Sequence, residues 1–386
     1  MTPGARVAAA IAVLDRIGTG AAAEQSLTAW ARGSRFAGSK DRAAVRDHVY
    51  DVLRARRSLG GGSGRALMQR LAQREGWSLE QLFSGEGHAP AQLSDLEQTE
   101  LAKPLVLSDA ARCDLPDWLW PQWQASLGNQ AEQAAVAQQG RADVFLRVNM
   151  RRGSVAQAIE ALLSDGITAA PHPSVSGCLR VVENPRRVKA AAAYLTGLVE
   201  LQDASSQFAV QALPVAKNAR ILDYCAGGGG KALAFADQTT ATVFAHDVAP
   251  QRMRDLPARA MRAGVKVQTL STQELSAHAP YDVVFCDAPC SGSGTWRRTP
   301  DAKWRLSETG LENLKQLQDD VLKFAAPFVA PGGLLAYATC SVLSVENDAA
   351  IARFRDESPQ WQVIQRYQLL PSSDGDGFYL CVLKLT

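Results

Sequence analysis

Three stretches of the 386-residue chain carry side chains that can form bonds or move protons. Asp282-Val-Val-Phe-Cys-Asp287 runs straight into Ala288-Pro289-Cys290-Ser291-Gly292-Ser293-Gly294. Gly333-Leu-Leu-Ala-Tyr-Ala-Thr-Cys340-Ser341 ends another apolar run in a second thiol, with Glu346 and Asn347 close behind. A thiolate is a nucleophile and a carboxylic acid can neutralise charge developing beside it, so these two stretches fit covalent catalysis with acid–base help. The third stretch, Cys225-Ala226-Gly227-Gly228-Gly229-Gly230-Lys231, follows Ile221-Leu222-Asp223. Glycines at a strand-to-helix turn admit a ligand close to the backbone and leave the helix N-terminal amides free for an anion. It is not a Walker A loop, because Ala232 stands where Ser or Thr is required. Farther on, Asp247 closes the next apolar run. An acid at that place takes both hydroxyls of a ribose, which fits a dinucleotide or S-adenosylmethionine alike.

The elements that must position these residues alternate from Ala219 onward. Strands are predicted at Arg220–Cys225, Thr242–Asp247, Val265–Leu270, Asp282–Asp287 and Gly333–Thr339, with helices at 229–237, 249–263, 307–329 and 345–356. Such alternation with apolar strands implies an α/β fold with a parallel, doubly wound sheet. Trp361–Leu369 and Phe378–Leu385 add an antiparallel hairpin at one edge. The C-terminal strand ends of an open α/β sheet line one crevice, so Cys225, Asp247, Asp287, Cys290 and Cys340 are expected to share it. Cys286, in mid-strand, belongs to the core.

Upstream the character changes. Residues 4–75 read as helices, with Val7, Ala10, Ile11, Leu14 and then Val45, Val49, Val52, Leu53 at helical spacing. Ser39 and Asp41 are candidate N-caps for the second of these helices. Residues 1–74 hold 13 Lys/Arg against 5 Asp/Glu, and residues 75–140 hold 2 against 10. Arg42, Arg46, Arg54, Arg56 and Arg57 crowd one stretch of that basic head, as an RNA-facing surface requires. Leu115–Trp123 carries three tryptophans and reads as a helix docking on a neighbouring domain. Residues 143–149 and Cys178–Val182 are predicted strands and Val155–Leu163 a helix, a small α+β unit between head and tail.

Hydrophobic residues make up 46% and charged residues 21% of the chain, which excludes wholesale disorder. At about 150 residues per domain, the length points to two or three units. No run approaches the ~20 apolar residues of a membrane span, and Val7–Leu14, closed by Asp15, lacks the flanks of a secretory signal. Seven scattered cysteines with no CxxC pair argue against a disulfide framework and a zinc site. Reduced thiols in the cytoplasm, no metal and no membrane partner are the expectation.

Together these motifs resemble the Sun/Fmu family of RNA 5-methylcytosine methyltransferases. Asp287-Ala288-Pro289-Cys290 and Thr339-Cys340-Ser341 carry the likeness, which runs from Arg147-Val148-Asn149 through Gln202–Gln207 to Asp376-Gly377-Phe378. The head, through Asp41–Arg54, is similar to the NusB-like RNA-binding domain of the bacterial rRNA branch. The resemblance implies an all-α NusB-like domain over residues 1–114 and a docking helix with a small α+β, RRM-like subdomain over 115–205. A Rossmann-like S-adenosylmethionine-dependent methyltransferase domain would fill 206–386.

It further implies methylation of carbon 5 of a cytosine in rRNA, most naturally small-subunit rRNA, by a monomer acting on RNA or on a partly assembled ribosomal subunit. Carbon 5 is too electron-poor to attack a methyl sulfonium until a thiolate adds at carbon 6. By resemblance Cys340 is that nucleophile, Asp287 holds and protonates the base, Cys290 aids release, and Lys231 orients the base or Asp287 and favours thiolate. DNA cytosine methyltransferases place their nucleophile in a Pro-Cys like Pro289-Cys290, so the reverse assignment stays open. The cofactor set is Cys225, Ala226, Gly227, Gly228, Gly229, Gly230, Lys231, Asp247, Arg252, Ser271 and Asp287. The chain departs from the family where Gly228 replaces Pro, where Ala232 replaces Thr, and where Leu270-Ser271-Thr272 replaces a Gly-Asp-Ala whose Asp contacts adenine. There the adenine contact passes to Ser271. Arg297, Arg298 and Lys303, with Trp304, lie just beyond Cys290 and join Arg42, Arg46 and Arg54 as the RNA-binding set. Rival readings are the same chemistry on tRNA and an RNA-binding assembly factor without turnover.

Overall fold

Two sheets share the unit formed by Ala142–Thr295 and Thr309–Thr386 of the computed structural model, which describes residues 1–386. The smaller is built from β1 (Val144–Val148), β2 (Thr168–Pro171), β3 (Cys178–Glu183) and β4 (Val199–Leu201) in the order β2-β3-β1-β4. All its pairings are antiparallel. With helices Val155–Ser164 and Ala192–Leu195 between strands, this is a β-α-β-β-α-β unit of ferredoxin-like type. Its sequence-predicted members were β1, β3 and the first helix; β2 and β4 come into being only by pairing.

The larger sheet comprises β5 (Arg220–Asp223), β6 (Thr242–His246), β7 (Gln268–Leu270), β8 (Tyr281–Asp287), β9 (Val329–Thr339), β10 (Trp361–Leu369) and β11 (Phe378–Leu385). The order is β10-β11-β9-β8-β5-β6-β7. β7, β6, β5, β8 and β9 run parallel, and β11 and β10 add the expected antiparallel edge at the residues predicted for them. Both faces are covered. One core holds Ile221, Phe235, Val283 and Phe285, and the other Leu222, Phe244, Val284 and Leu335, so the central strands read as continuous apolar runs. The helix predicted over 249–263 is split into a 3-10 turn, Pro250–Met253, and a helix, Leu256–Ala263, because Pro257 can sit only in a helix's first turn.

The other unit is Met1–Arg141 together with Trp296–Glu308. This compact unit runs on to Arg141 and includes the Trp-rich segment. Helices Pro3–Gly18, Ala23–Gly33, Ser39–Arg54 and Gly64–Arg74 pack Val7, Val13, Val45, Val49, Val52 and Met68 into one core. Thr2 caps the first helix, with Pro3 at its start. Gly38 caps the third, where Asp41 stands at the third helical position rather than as the cap. Trp123 is fully buried, donates its indole N–H to the Ala131 carbonyl at 2.8 Å and stacks on Trp296 at 5.9 Å, so it is core.

Three of the arginines and lysines expected to face RNA are buried in this unit, which corrects that expectation. Arg54 donates to the Arg297 carbonyl at 2.7 Å and to Asp51 at 2.9 Å. Arg297 is 4% exposed. Lys303 is 2% exposed and lies 4.7 Å from the Trp304 ring centre. Burial lowers the Lys303 amine to about 8, with Asp114 pulling the other way. The Trp304 indole N–H donates to the Leu53 carbonyl at 2.7 Å, the anchoring role that makes a segment structural. Arg42 and Arg46 stay exposed, Arg46 gripping Glu24. Arg298 is half-buried. No helix is long and apolar enough to cross a membrane.

Candidate active site

The glycine loop sits where β5 ends and the helix Gly230–Gln238 begins. Gly229 takes a left-handed conformation (φ 77°), and a Cβ there would collide with the Leu256 side chain, so only glycine turns the chain this tightly. At Gly227 and Gly228 a Cβ would meet only the ends of Arg252 and Arg259, which leaves the loop open to a close-fitting ligand. The Gly227 amide donates to Asp247 at 2.9 Å, and Arg252 lies 3.3 Å from the same carboxylate oxygen. Arg259, paired with Glu200, also bonds the Gly228 carbonyl and steadies the turn. A glycine turn, free amides at a helix start and a carboxylate at the next strand end are the donor set a nucleoside cofactor needs, and the residues fit one.

Ser271 donates through both its amide and its hydroxyl to Glu274, at 2.8 and 2.7 Å, capping the short turn Thr272–Glu274. Its hydroxyl oxygen remains an acceptor on the exposed side of β7. Glu274, absent from the sequence-derived set, is the acidic group nearest that place in the chain.

At the neighbouring C-terminal strand ends, β8 delivers Asp287 and Cys340 directly follows β9. Lys231 reaches from the glycine loop to Asp287 at 2.6 Å. Burial by itself would depress the Lys231 amine, but the Asp287 carboxylate more than offsets it and holds the amine above its ordinary value. The Cys290 and Cys340 sulfurs stand 3.4 Å apart. The hydrogen bond shared with Cys290 pulls the Cys340 thiol below its usual value, against burial and the Asp287 charge and with help from Lys231. The same bond, then burial, pushes Cys290 up. Cys340 is therefore the more acidic thiol of the pair. The Gly294 amide donates to the Cys340 carbonyl at 2.9 Å, and Gly294 crosses Gly377 so closely that a side chain on either would collide, which locks the loop after Cys290 against β9 and the start of β11.

Cys225 contributes backbone to the glycine loop, while burial pushes its thiol up and its side chain packs on the core. Cys286 is fully buried, as expected. All seven cysteines are free.

Asp223, at the end of β5, was singled out only as part of a strand. It is 1% exposed, and burial raises its carboxyl to about 7, with Lys231 pulling down. A carboxyl raised on folding stabilises the native state below its unfolded value near 4, and that contribution is lost as pH rises through 7. Asp223→Asn should therefore flatten the pH dependence of stability. Between pH 5 and pH 8 the melting temperature of the unmodified chain is expected to fall several degrees relative to the variant, read by thermal denaturation. Parallel curves would show that Asp223 does not titrate in this window.

A family model described as 16S rRNA methyltransferase RsmB/F matches residues 210–384 of this chain, and one described as Methyltr_RsmF/B-like, ferredoxin-like domain matches residues 115–189. A protein of Cronobacter sakazakii named ribosomal RNA small subunit methyltransferase B is 33% identical over 301 residues, covering 74% of this chain and 70% of its own. One of the same name from Yersinia pestis is 32% identical over 297 residues, covering 73% and 69%. Among solved structures, PH0851 superposes with a TM-score of 0.74 at 21% identity over 99% of both chains. NSun6 from Pyrococcus horikoshii with SFG superposes with a TM-score of 0.62 at 15% identity over 70% of this chain and 98% of its own. At these identities the two structures speak for a shared fold.

Proposed function

The chain belongs to the RsmB/F family of 16S rRNA methyltransferases, which use S-adenosylmethionine, and from that premise we propose that it methylates carbon 5 of a cytosine in small-subunit rRNA through a covalent Cys340–carbon 6 bond. The observation that carries this reading is the pair of sulfurs 3.4 Å apart at strand ends that also hold the Asp287–Lys231 ion pair at 2.6 Å. No reaction of a packed core requires two thiols, one acid and one amine in that arrangement.

S-adenosylmethionine, when bound, supplies a methyl group on a sulfonium, an electrophile that a carbon nucleophile accepts. Residues Ala226–Lys231, Asp247, Arg252 and Ser271 are the groups that would hold it. The Cys340 thiolate bonds carbon 6 of the ring and makes carbon 5 nucleophilic. Asp287, oriented by Lys231, holds ring nitrogen 3 and the amine, and a proton delivered from the Asp287–Lys231 pair neutralises the negative charge that develops at nitrogen 3. After transfer the carbon 5 proton leaves and the carbon 6–sulfur bond breaks, and Cys290 assists this release. The target base must be single-stranded or flipped out to reach Cys340.

The helical unit is the part proposed to hold RNA. Arg42 and Arg46 line a groove of about 570 Å³ with Arg32, Arg35 and Trp30, a set of cations and one aromatic suited to a phosphate backbone. Arg298 remains a candidate contact beyond Cys290.

Bisulfite sequencing of total RNA with and without the gene tests the reading. One protected cytosine in 16S rRNA is expected to become convertible when the gene is removed. Loss confined to tRNA would replace the substrate, and no change in any RNA, together with no tritium transfer from labelled cofactor, would leave an RNA-binding role instead.

A further inference from the structure

Behind the two thiols lies a polar cluster that the chemistry above does not use. Glu346, between β9 and the helix Asp348–Glu357, has no exposed surface. One of its carboxylate oxygens accepts the Ser291 backbone N–H at 2.8 Å and the Gln318 side-chain amide at 3.0 Å. The other accepts the hydroxyls of Ser291 and Ser341, each at 2.5 Å. Ser291 follows Cys290 and Ser341 follows Cys340, so one carboxylate is bonded to the residue after each thiol.

The surrounding bonds tighten the same junction. The Ser293 hydroxyl lies 2.8 Å from that of Ser341 and accepts the Val342 amide at 2.9 Å. The Gln318 amide also donates to the Pro289 carbonyl at 3.0 Å, on the other side of Cys290. The Tyr337 hydroxyl donates to the Glu346 carbonyl at 2.7 Å and pins its backbone. A carboxylate only accepts, so it draws donors from both turns onto one point, which two hydroxyls bonded to each other cannot do. Burying such a group is costly unless all its lone pairs are used, and here four donors use them.

We propose that Glu346 is the positioning residue of the thiol pair, clamping the Cys290 turn to the Cys340 turn and placing its negative charge on the Cys290 side. This rests on Cys340 acting as nucleophile with Cys290 as its assistant. The groups facing the pair are Lys231 and Asp287 on the Cys340 side and Glu346 and Tyr337 on the Cys290 side. The Cys340 hydrogen bond and burial work against a thiolate at Cys290, and the Glu346 charge adds to them, which favours the negative charge on Cys340.

The test is iodoacetamide alkylation of the full chain between pH 6 and pH 9, with each cysteine assigned by mass spectrometry. In the unmodified chain Cys340 should react faster than Cys290. Glu346→Gln keeps the side-chain volume and removes the charge, and the Cys340-to-Cys290 rate ratio at pH 7 is expected to fall at least tenfold. Methyl transfer by the same variant should lose about 100-fold in kcat with the KM for rRNA within threefold, since misplacing a reacting group by an ångström costs that much. An unchanged alkylation ratio with unchanged kcat overturns the proposal.

Should Glu346→Gln fold poorly, Ser291→Ala and Ser341→Ala each remove one hydroxyl from the clamp. Both are expected to lower kcat at constant KM, and full kcat in both overturns the clamp. Retained methyl transfer by Cys340→Ala would instead overturn the nucleophile assignment, and the alkylation ratio, read without RNA or cofactor, would still report on Glu346.

Discussion

RNA carrying 5-fluorocytosine at the target position should form, with the unmodified chain and S-adenosylmethionine, a complex that survives denaturing electrophoresis. Cys340→Ala should abolish it and Cys290→Ala should retain it. The fluorine leaves carbon 5 with no proton to lose, so once the methyl group has been transferred the carbon 6–sulfur adduct cannot resolve. With ordinary RNA, Cys290→Ala should accumulate the same adduct, because the release step is the one that lost its helper. Methyl transfer by Cys340→Ala is expected to fall by at least ~10⁴-fold, the loss typical of removing a nucleophile outright. The physical ground is the asymmetry of the pair, with the two sulfurs 3.4 Å apart and Cys340 set as the more acidic thiol. An adduct seen with Cys340→Ala and lost with Cys290→Ala reverses the two roles.

Lys231→Met and Asp287→Asn form the second pair of large effects. Each should lower kcat by roughly 10²- to 10⁴-fold, the range of a positioned acid or charge-stabilising group. Their pH profiles should move in opposite directions. Lys231 lowers the Cys340 thiol, so its removal moves the ascending limb of the pH–rate curve to higher pH. Asp287 raises that thiol, so Asp287→Asn moves the limb to lower pH while still losing its grip on the base. Because the two groups are bonded at 2.6 Å, the double variant should lose less than the product of the single losses. A Lys231→Met enzyme within tenfold of full activity and with an unmoved limb would remove the electrostatic role.

Much of the catalytic unit was legible in one dimension, for reasons that differ by element. The hairpin Trp361–Leu369 and Phe378–Leu385 appears at the predicted residues because alternation and a Gly-rich turn are both local signals. β5, β8 and β9 were readable because strands buried on both faces are apolar throughout, and each stops where a functional residue begins. β2 and β4, of four and three residues, carry too little pattern to be recognised and exist because β3 and β1 pair with them. The third predicted strand shrank to Gln268–Leu270 for the same reason.

Arg54, Arg297 and Lys303 show the opposite limit. On a helix or loop read alone, a cation belongs on the solvated face. Arg54 is nonetheless buried against Arg297, 243 positions away, and no local window contains that partner. Glu346 stood beside the Cys340 motif from the start, yet its bonds to Ser291, 55 positions back, are what make it more than a charged residue in a turn.

The sequence by itself determined which chemical groups end which strands, because side-chain alternation and apolar runs are properties of neighbouring residues. Only the tertiary structure decided that two sulfurs 50 positions apart lie 3.4 Å from each other, which charges are buried, and which thiol is the more acidic. Those depend on dielectric and distance, and both are set by whatever folds in from elsewhere along the chain.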